Sequence, residues 1–225
     1  MAVMYHCEYC GHSFRREKTL INHACEPRRR WLNKDHQNSI LAFAAFDLFF
    51  QKMAPNQKRD FQTFIKSNYY SGFIKWADFV IANDVSMSKQ YLNYLIDNQI
   101  PLDKWDKDFN LEKFIKSYVM KESPESGVAR SVEYLEKWSV YNQKSLKEFF
   151  VEEQSNKIIL QFKLGKLSPW FLFVSDVASQ WFESLNDDQQ MAMQKIIDPK
   201  IWIRKVALHR DDVKELKRIL QESSL

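Results

Sequence analysis

The chain has 225 residues and a formal net charge of +4, and 45% of its residues are hydrophobic and 15% aromatic. The length predicts one or two domains. This much apolar material can build a packed core, so the composition excludes a largely disordered chain. Only four glycines are present, too few for sandwiches, barrels or dinucleotide-binding folds. The composition therefore favours a mainly α-helical protein. No run reaches the roughly 18 apolar residues of a membrane span, which predicts no membrane partner.

All three cysteines lie near the amino end of the sequence, at Cys7, Cys10 and Cys25. The first two are separated by two residues, and twelve residues then lead to His23. Cys-x-x-Cys followed at this distance by His is the ligand spacing of a tetrahedral zinc site. The spacing predicts a Zn²⁺ cofactor in a reducing compartment, since no disulfide framework is present.

The fourth ligand is less clearly specified, and the preferred residue is Cys25. Only Ala24 separates it from His23, and helical neighbours two apart do not share a face. We therefore expect the helix to end or unwind at His23–Ala24. His36 is the main alternative ligand, and His12 and His6 are further substitutes.

Apolar residues accompany these ligands at Tyr5, Phe14 and Leu20. With the ligand spacing, they resemble the two-Cys two-His zinc-finger family, here as a Cys-Cys-His-Cys variant over residues 5–25. The resemblance implies a ββα finger, with the three apolar residues as its small core. A segment this short cannot fold by burial alone, so we expect the metal to supply the missing energy.

The resemblance also implies which residues would contact nucleic acid: the base-reading positions correspond to Arg16, Thr19 and Asn22. Arg can bond guanine and Asn can bond adenine, but one finger covers only about 3 bp. The neighbouring arginines Arg28, Arg29 and Arg30 would add phosphate contacts without sequence information.

The distribution of charge also predicts that nucleic acid would contact the amino-terminal segment. Residues 1–36 hold seven Lys/Arg against four Asp/Glu, whereas the remainder of the chain holds 26 against 25. We expect weak, salt-sensitive binding of DNA or RNA, on the order of 10⁻⁴–10⁻⁶ M. The alternative is a finger that only caps the structure or docks a protein, with its arginines solvated or facing an acidic partner.

The rest of the chain is predicted to be helical, because apolar residues recur three or four apart and good capping residues punctuate them. One run, 158–162, is short enough to be a strand instead. The predicted domains are a finger at 1–27, a basic joint at 28–36 and a helical domain at 37–225, with a candidate internal boundary at 122–127. The predicted helices cover approximately 17–23, 30–53, 56–70, 72–83, a segment capped by Ser86, 110–120, 128–142, 145–164, segments that start at Ser168-Pro169, Asn186 and Asp198-Pro199, and 211–221.

No catalytic constellation is evident outside the finger, where His209 is the single histidine beyond His36. The sequence also lacks a P-loop and a Gly-x-Ser-x-Gly motif. We therefore expect a non-enzymatic binding or adaptor protein, whose helical body holds a protein partner or a second copy of itself.

The run from Arg16 to Arg29, Arg-Glu-Lys-Thr-Leu-x-x-His-x-Cys-Glu-x-Arg-Arg, is also similar to N-terminal fingers in small proteins of T-even-like tailed phages. That resemblance implies a phage-encoded protein in the host cytoplasm or in a virion. It adds a second functional hypothesis, a phage structural or assembly protein whose finger is purely structural.

Overall fold

The computed structural model describes residues 4–222 and is mainly α-helical, which confirms the predicted mainly α character of the chain. The chain divides into two compact units, Met1–Lys107 (unit 1) and Asp108–Leu225 (unit 2). The stretch 122–127, predicted as a candidate boundary, lies within unit 2. No helix in residues 4–222 has both the length and the apolar character needed to cross a bilayer.

Unit 1 starts with a two-stranded antiparallel hairpin, in which Tyr5 pairs with Phe14 and His6 with Ser13. Helices follow, and a short 3-10 turn at Leu102–Lys104 comes after the last of them. The elements are β1 (Tyr5–His6), β2 (Ser13–Phe14), α1 (Glu17–Ile21), α2 (Glu26–Leu32), α3 (Gln37–Met53), α4 (Phe61–Lys66), α5 (Tyr70–Ala82) and α6 (Ser88–Asp97).

An aromatic core joins α3, α4 and α5. The ring of Phe46 lies 5.1 Å from that of Phe64 and 5.7 Å from that of Phe73, and all three side chains are fully buried. Aromatic pairs at these separations stabilise a core beyond the area they bury. This core is the platform against which the amino-terminal elements pack.

Helix α2 packs directly on that platform. The Trp31 ring lies 5.7 Å from the Phe61 ring of α4, and the Arg30 guanidinium donates a 2.7 Å hydrogen bond to the Ile65 carbonyl. Residues 28–32 of the predicted basic joint therefore belong to a packed helix.

Over its described residues, 108–222, unit 2 consists of helices and one 3-10 turn at Leu146–Glu148. Its core is again aromatic, and the rings of the buried residues Trp170 and Trp202 lie 5.0 Å apart. The helices are α7 (Asp108–Lys121), α8 (Pro124–Asn142), α9 (Phe149–Glu152), α10 (Ser155–Lys163), α11 (Trp170–Val174), α12 (Asp176–Glu183), α13 (Asp187–Gln194), α14 (Pro199–Leu208) and α15 (Arg210–Glu222).

A buried polar network fixes the start of α8 in unit 2. The Glu122 carboxylate, 2% exposed, accepts hydrogen bonds from the Arg130 guanidinium and from the Ser168 hydroxyl. Gly127 allows the Ser168 side chain to lie close to the backbone of α8, since a Cβ at position 127 would lie 2.5 Å from the Ser168 Oγ. The charged pair is satisfied by several partners, as a buried ion pair must be.

Several helix boundaries follow the sequence prediction. Asn186 caps α13 in a reciprocal capping box with Gln189, and the Asp198 carboxylate accepts a hydrogen bond from the Lys200 N–H at the start of α14. Gly165 follows α10 with φ +68°, the left-handed conformation that commonly ends a helix.

Other predicted boundaries are wrong. The helix expected over 30–53 is two helices, because the chain turns at 33–36 before α3 begins. The run 158–162 is helical, so the strand alternative is excluded. Met87 precedes α6 in place of Ser86, and α8 begins at Pro124, four residues earlier than expected, because the Ser123 hydroxyl accepts from the Ser126 N–H.

Candidate metal centre

The hairpin places the first two cysteines at one turn. Cys7 directly follows β1, and its backbone N–H donates to the His12 carbonyl at 2.9 Å. The Gly11 N–H donates back to the Cys7 carbonyl at 2.8 Å, and Gly11 has φ +76°, which a residue with a side chain rarely adopts. The Cys7–Cys10 turn therefore depends on glycine at its end.

The other two ligand candidates flank a break between helices. Helix α1 ends at Ile21, and the His23 N–H donates to the Leu20 carbonyl at 3.0 Å. Cys25 is the extended residue before α2, with φ −89° and ψ 159°. This confirms that the helix ends before Cys25, and the break lets Cys25 turn towards the same point as His23.

The four side chains converge. Their ligand atoms all lie within 4.8 Å of one another; the Cys7 and Cys25 sulfurs are 3.8 Å apart, and the Cys10 sulfur is 3.3 Å from the His23 Nε2. Cys7 is buried, His23 and Cys25 are half-buried, and Cys10 is exposed. This group of three sulfurs and one imidazole could hold a metal ion.

The alternative fourth ligands lie elsewhere. His36 immediately precedes α3 and does not belong to the cluster formed by the described residues. The His6 Nδ1 is 2.8 Å from the Ser13 hydroxyl, and the His12 ring packs 4.7 Å from the Phe14 ring. The geometry thus favours Cys25.

The three apolar residues expected to form the finger core, Tyr5, Phe14 and Leu20, are each half-buried. Among them, Phe14 packs on a ligand candidate, with its ring centre 4.8 Å from that of His23. This contact fixes the orientation of the imidazole.

The thiols of Cys7 and Cys25 differ in acidity. Burial acts to raise the pKa of Cys7, but the N–H groups of Cys10 and Tyr9 hydrogen-bond to its sulfur and leave the net pKa lowered. Burial raises the pKa of Cys25, and the neighbouring thiols raise it further. Because a metal binds the thiolate, Cys7 is the better prepared of the two ligands.

The arginine run does not form one exposed cationic strip. Arg28 donates to the His23 carbonyl at 2.7 Å and to the Ile21 carbonyl at 3.2 Å. It therefore caps the end of α1 and stabilises the segment His23–Cys25, which carries two of the ligand candidates. Arg30 donates a hydrogen bond to the Ile65 carbonyl of α4, whereas the Arg29 side chain is 67% exposed and pairs with Glu26. These separate roles could not be predicted from the sequence, because the three arginines are adjacent in it.

The predicted base-reading residues are placed together. Arg16, Thr19 and Asn22 are all exposed and line one groove beside α1, which also includes Lys18. Within residues 4–222, the structure shows no ion pair to Arg15, Arg16 or Lys18. Among the described residues, three cations without an ion pair therefore lie in or directly before α1.

The fold and the site together define the class of this protein: it is mainly α-helical and has a candidate metal centre near its amino end. Comparisons with protein-family models, with curated proteins and with solved structures found no match to this chain.

Proposed function

We propose that the centre binds Zn²⁺ and that residues 5–25 are a zinc finger of the Cys-Cys-His-Cys type. Two thiolates about 2.3 Å from a tetrahedral zinc ion lie about 3.8 Å apart, and the Cys7 and Cys25 sulfurs have that separation. Three thiolates and an imidazole favour zinc over cations that prefer oxygen ligands. Helix α1 has five residues, none buried, so the bound ion would supply order that packing does not.

Metal analysis of the purified chain tests this first step. We expect one zinc per chain, at least tenfold weaker zinc binding in Cys25→Ser, and unchanged binding in the control His36→Ala. A chain without zinc, or an equal loss in the two variants, would contradict the proposed ligand set.

The function supported best is non-enzymatic binding of nucleic acid by the α1 face. The observation that carries it is the shared groove of Arg16, Thr19 and Asn22, with Lys18 at its edge. These side chains combine donors for base edges with cations that have no intramolecular ion pair in the described part of the chain. Since Arg28 and Arg30 are engaged internally, few phosphates would be neutralised, and binding should be weak and salt-sensitive.

Fluorescence anisotropy with short DNA and RNA probes tests this function. Arg16→Ala should weaken binding and flatten its salt dependence, while Arg204→Ala should not. Arg204 is a matched control because it is also exposed and has no ion pair within residues 4–222. The proposal fails if neither probe binds below about 10⁻⁴ M, or if the two variants behave alike.

A second function, a structural finger in an assembly protein, is favoured by the packing of α2. Trp31 and Arg30 join the amino-terminal segment to α4, so zinc could serve mainly to hold unit 1 together. Under this hypothesis Cys10→Ser would disrupt unit 1 and abolish assembly with a protein partner or a second copy, and the wild-type chain would bind no oligonucleotide. The phage origin, and with it the host cytoplasm or virion as location, remains a prediction of the resemblance.

A further inference from the structure

A polar cavity of about 320 Å³ opens in unit 1 at the amino end of α3. Its volume is at the low end of the range for ligand sites, about 300–1,000 Å³. The residues that line it include Arg29, Arg30, His36, Asn38, Ser39 and Tyr70.

Helix α3 reaches this cavity with its first turn uncapped. It is 17 residues long, His36 supplies no side-chain cap, and the first turn contains no acidic residue. Within residues 4–222, the N–H groups of Gln37, Asn38 and Ser39 have no hydrogen-bond acceptor. Such a helix end carries free donors and a partial positive charge, both of which attract anions.

Ser39 provides an independent indication of a ligand. Its side chain lines the cavity although the residue is only 1% exposed, and its hydroxyl makes no hydrogen bond to any described residue. Buried hydroxyls nearly always have a partner in the folded protein or in something bound to it. An unpartnered one at the wall of a cavity indicates that the partner comes from outside the chain.

The charged side chains around the cavity differ in availability. The Arg30 guanidinium already donates to the Ile65 carbonyl and lies over the Tyr70 ring, 4.3 Å from its centre. Arg29 is two-thirds exposed and pairs with Glu26, which also lines the cavity. A ligand must therefore compete with the Glu26 carboxylate for Arg29, and a phosphate, with more oxygens and more charge than a carboxylate, is suited to do so.

We propose that this cavity binds a phosphate group, held by the free N–H groups of Gln37–Ser39, by the Ser39 hydroxyl and by the Arg29 guanidinium. The ligand chemistry is a tetrahedral oxyanion, either free inorganic phosphate or a phosphodiester of nucleic acid. The site lies apart from the metal centre and does not require the α1 groove to read bases. It would give the arginine run one phosphate contact, through Arg29.

Titration of the zinc-loaded full chain with inorganic phosphate, against chloride at matched ionic strength, tests the site. Amide NMR signals of Gln37, Asn38 and Ser39 should shift in phosphate. Ser39→Ala should weaken binding about tenfold, since it removes a hydrogen bond to a charged group, without destabilising the free protein. Gln37→Glu should also weaken binding, and Ser71→Ala, an exposed serine of α5, is the control.

A second arm uses a DNA oligonucleotide without terminal phosphates. Displacement of inorganic phosphate by this probe would identify the nucleic-acid backbone as the source, and binding of inorganic phosphate alone would identify the free ion. Absence of phosphate-specific shifts at 37–39, or equal affinity in Ser39→Ala and Ser71→Ala, overturns the site. Neither result affects the α1 proposal, which depends on Arg16→Ala.

Discussion

Arg30 is the residue whose replacement best separates an architectural role from a phosphate-contact role within the arginine run. Its guanidinium donates to the Ile65 carbonyl at 2.7 Å and to the Ser67 carbonyl at 3.4 Å. It also lies over the Tyr70 ring, and the side chain is 20% exposed. Arg30→Ala would remove these contacts and the 3.3 Å ion pair with Glu26 at once, and would leave the Ile65 carbonyl in the last turn of α4 without the guanidinium.

The expected loss follows from these contacts. A hydrogen bond that involves a charged group contributes about 1.5–3 kcal/mol, and a cation–π contact at a partly exposed site adds about 0.5–1 kcal/mol. The Ser67 carbonyl keeps a bond from the Tyr70 N–H, so the Ile65 carbonyl is the group that loses its partner. We expect Arg30→Ala to destabilise unit 1 by about 2–4 kcal/mol.

Arg29→Ala is the matched control, because Arg29 is 67% exposed and pairs only with the half-exposed Glu26 among the described residues. An exposed pair of this kind contributes at most about 1 kcal/mol. Arg30→Lys should recover part of the loss, since it keeps the charge but not the planar fork that bonds the carbonyl.

Native-state hydrogen exchange of α3 and α5 amides, in excess zinc, measures these differences within unit 1. Protection factors should fall by at least tenfold in Arg30→Ala and remain nearly unchanged in Arg29→Ala. If the two variants exchange alike, the reasoning that places Arg30 in the architecture of unit 1 is wrong.

Three further predictions concern other positions. Gly127→Ala should destabilise unit 2 by about 1–3 kcal/mol through overpacking against Ser168; unchanged thermal unfolding would contradict the close approach. Hydrogen bonds from Lys58 and Thr63 lower the pKa of Asp60 to about 2, so its stabilising effect is complete above about pH 4 and lost as pH falls towards 2. Acid titration of Asp60→Asn should therefore show a smaller stability loss over that range than wild type, and parallel curves would refute this. Arg28→Ala should weaken zinc binding severalfold in a chelator competition, because it frees the His23 carbonyl; equal zinc affinity would exclude that bracing role.

The sequence by itself determined the features that depend on neighbours in the chain. The spacing of Cys7, Cys10 and His23, together with the nearby Cys25, was enough to predict the cluster, because a turn and one short helix bring these residues together. Helix type and the caps at Asn186 and Asp198 were also readable, since capping involves residues only two or three positions apart. The predicted helix over 30–53 missed the break at 33–36, although residues 33–39 carry no apolar side chain, because a short polar stretch does not by itself distinguish a helix end from an exposed helical turn.

Only the tertiary structure decided what the arginine run does. Arg28, Arg29 and Arg30 are chemically identical neighbours, yet one braces the ligand segment, one is exposed, and one bonds a carbonyl 35 residues away. The unpartnered hydroxyl of Ser39 likewise became visible only once α3 was placed beside α2 and α5. A charged or polar side chain takes its role from the acceptors that packing brings to it, and no local pattern encodes contacts between segments so distant in the chain.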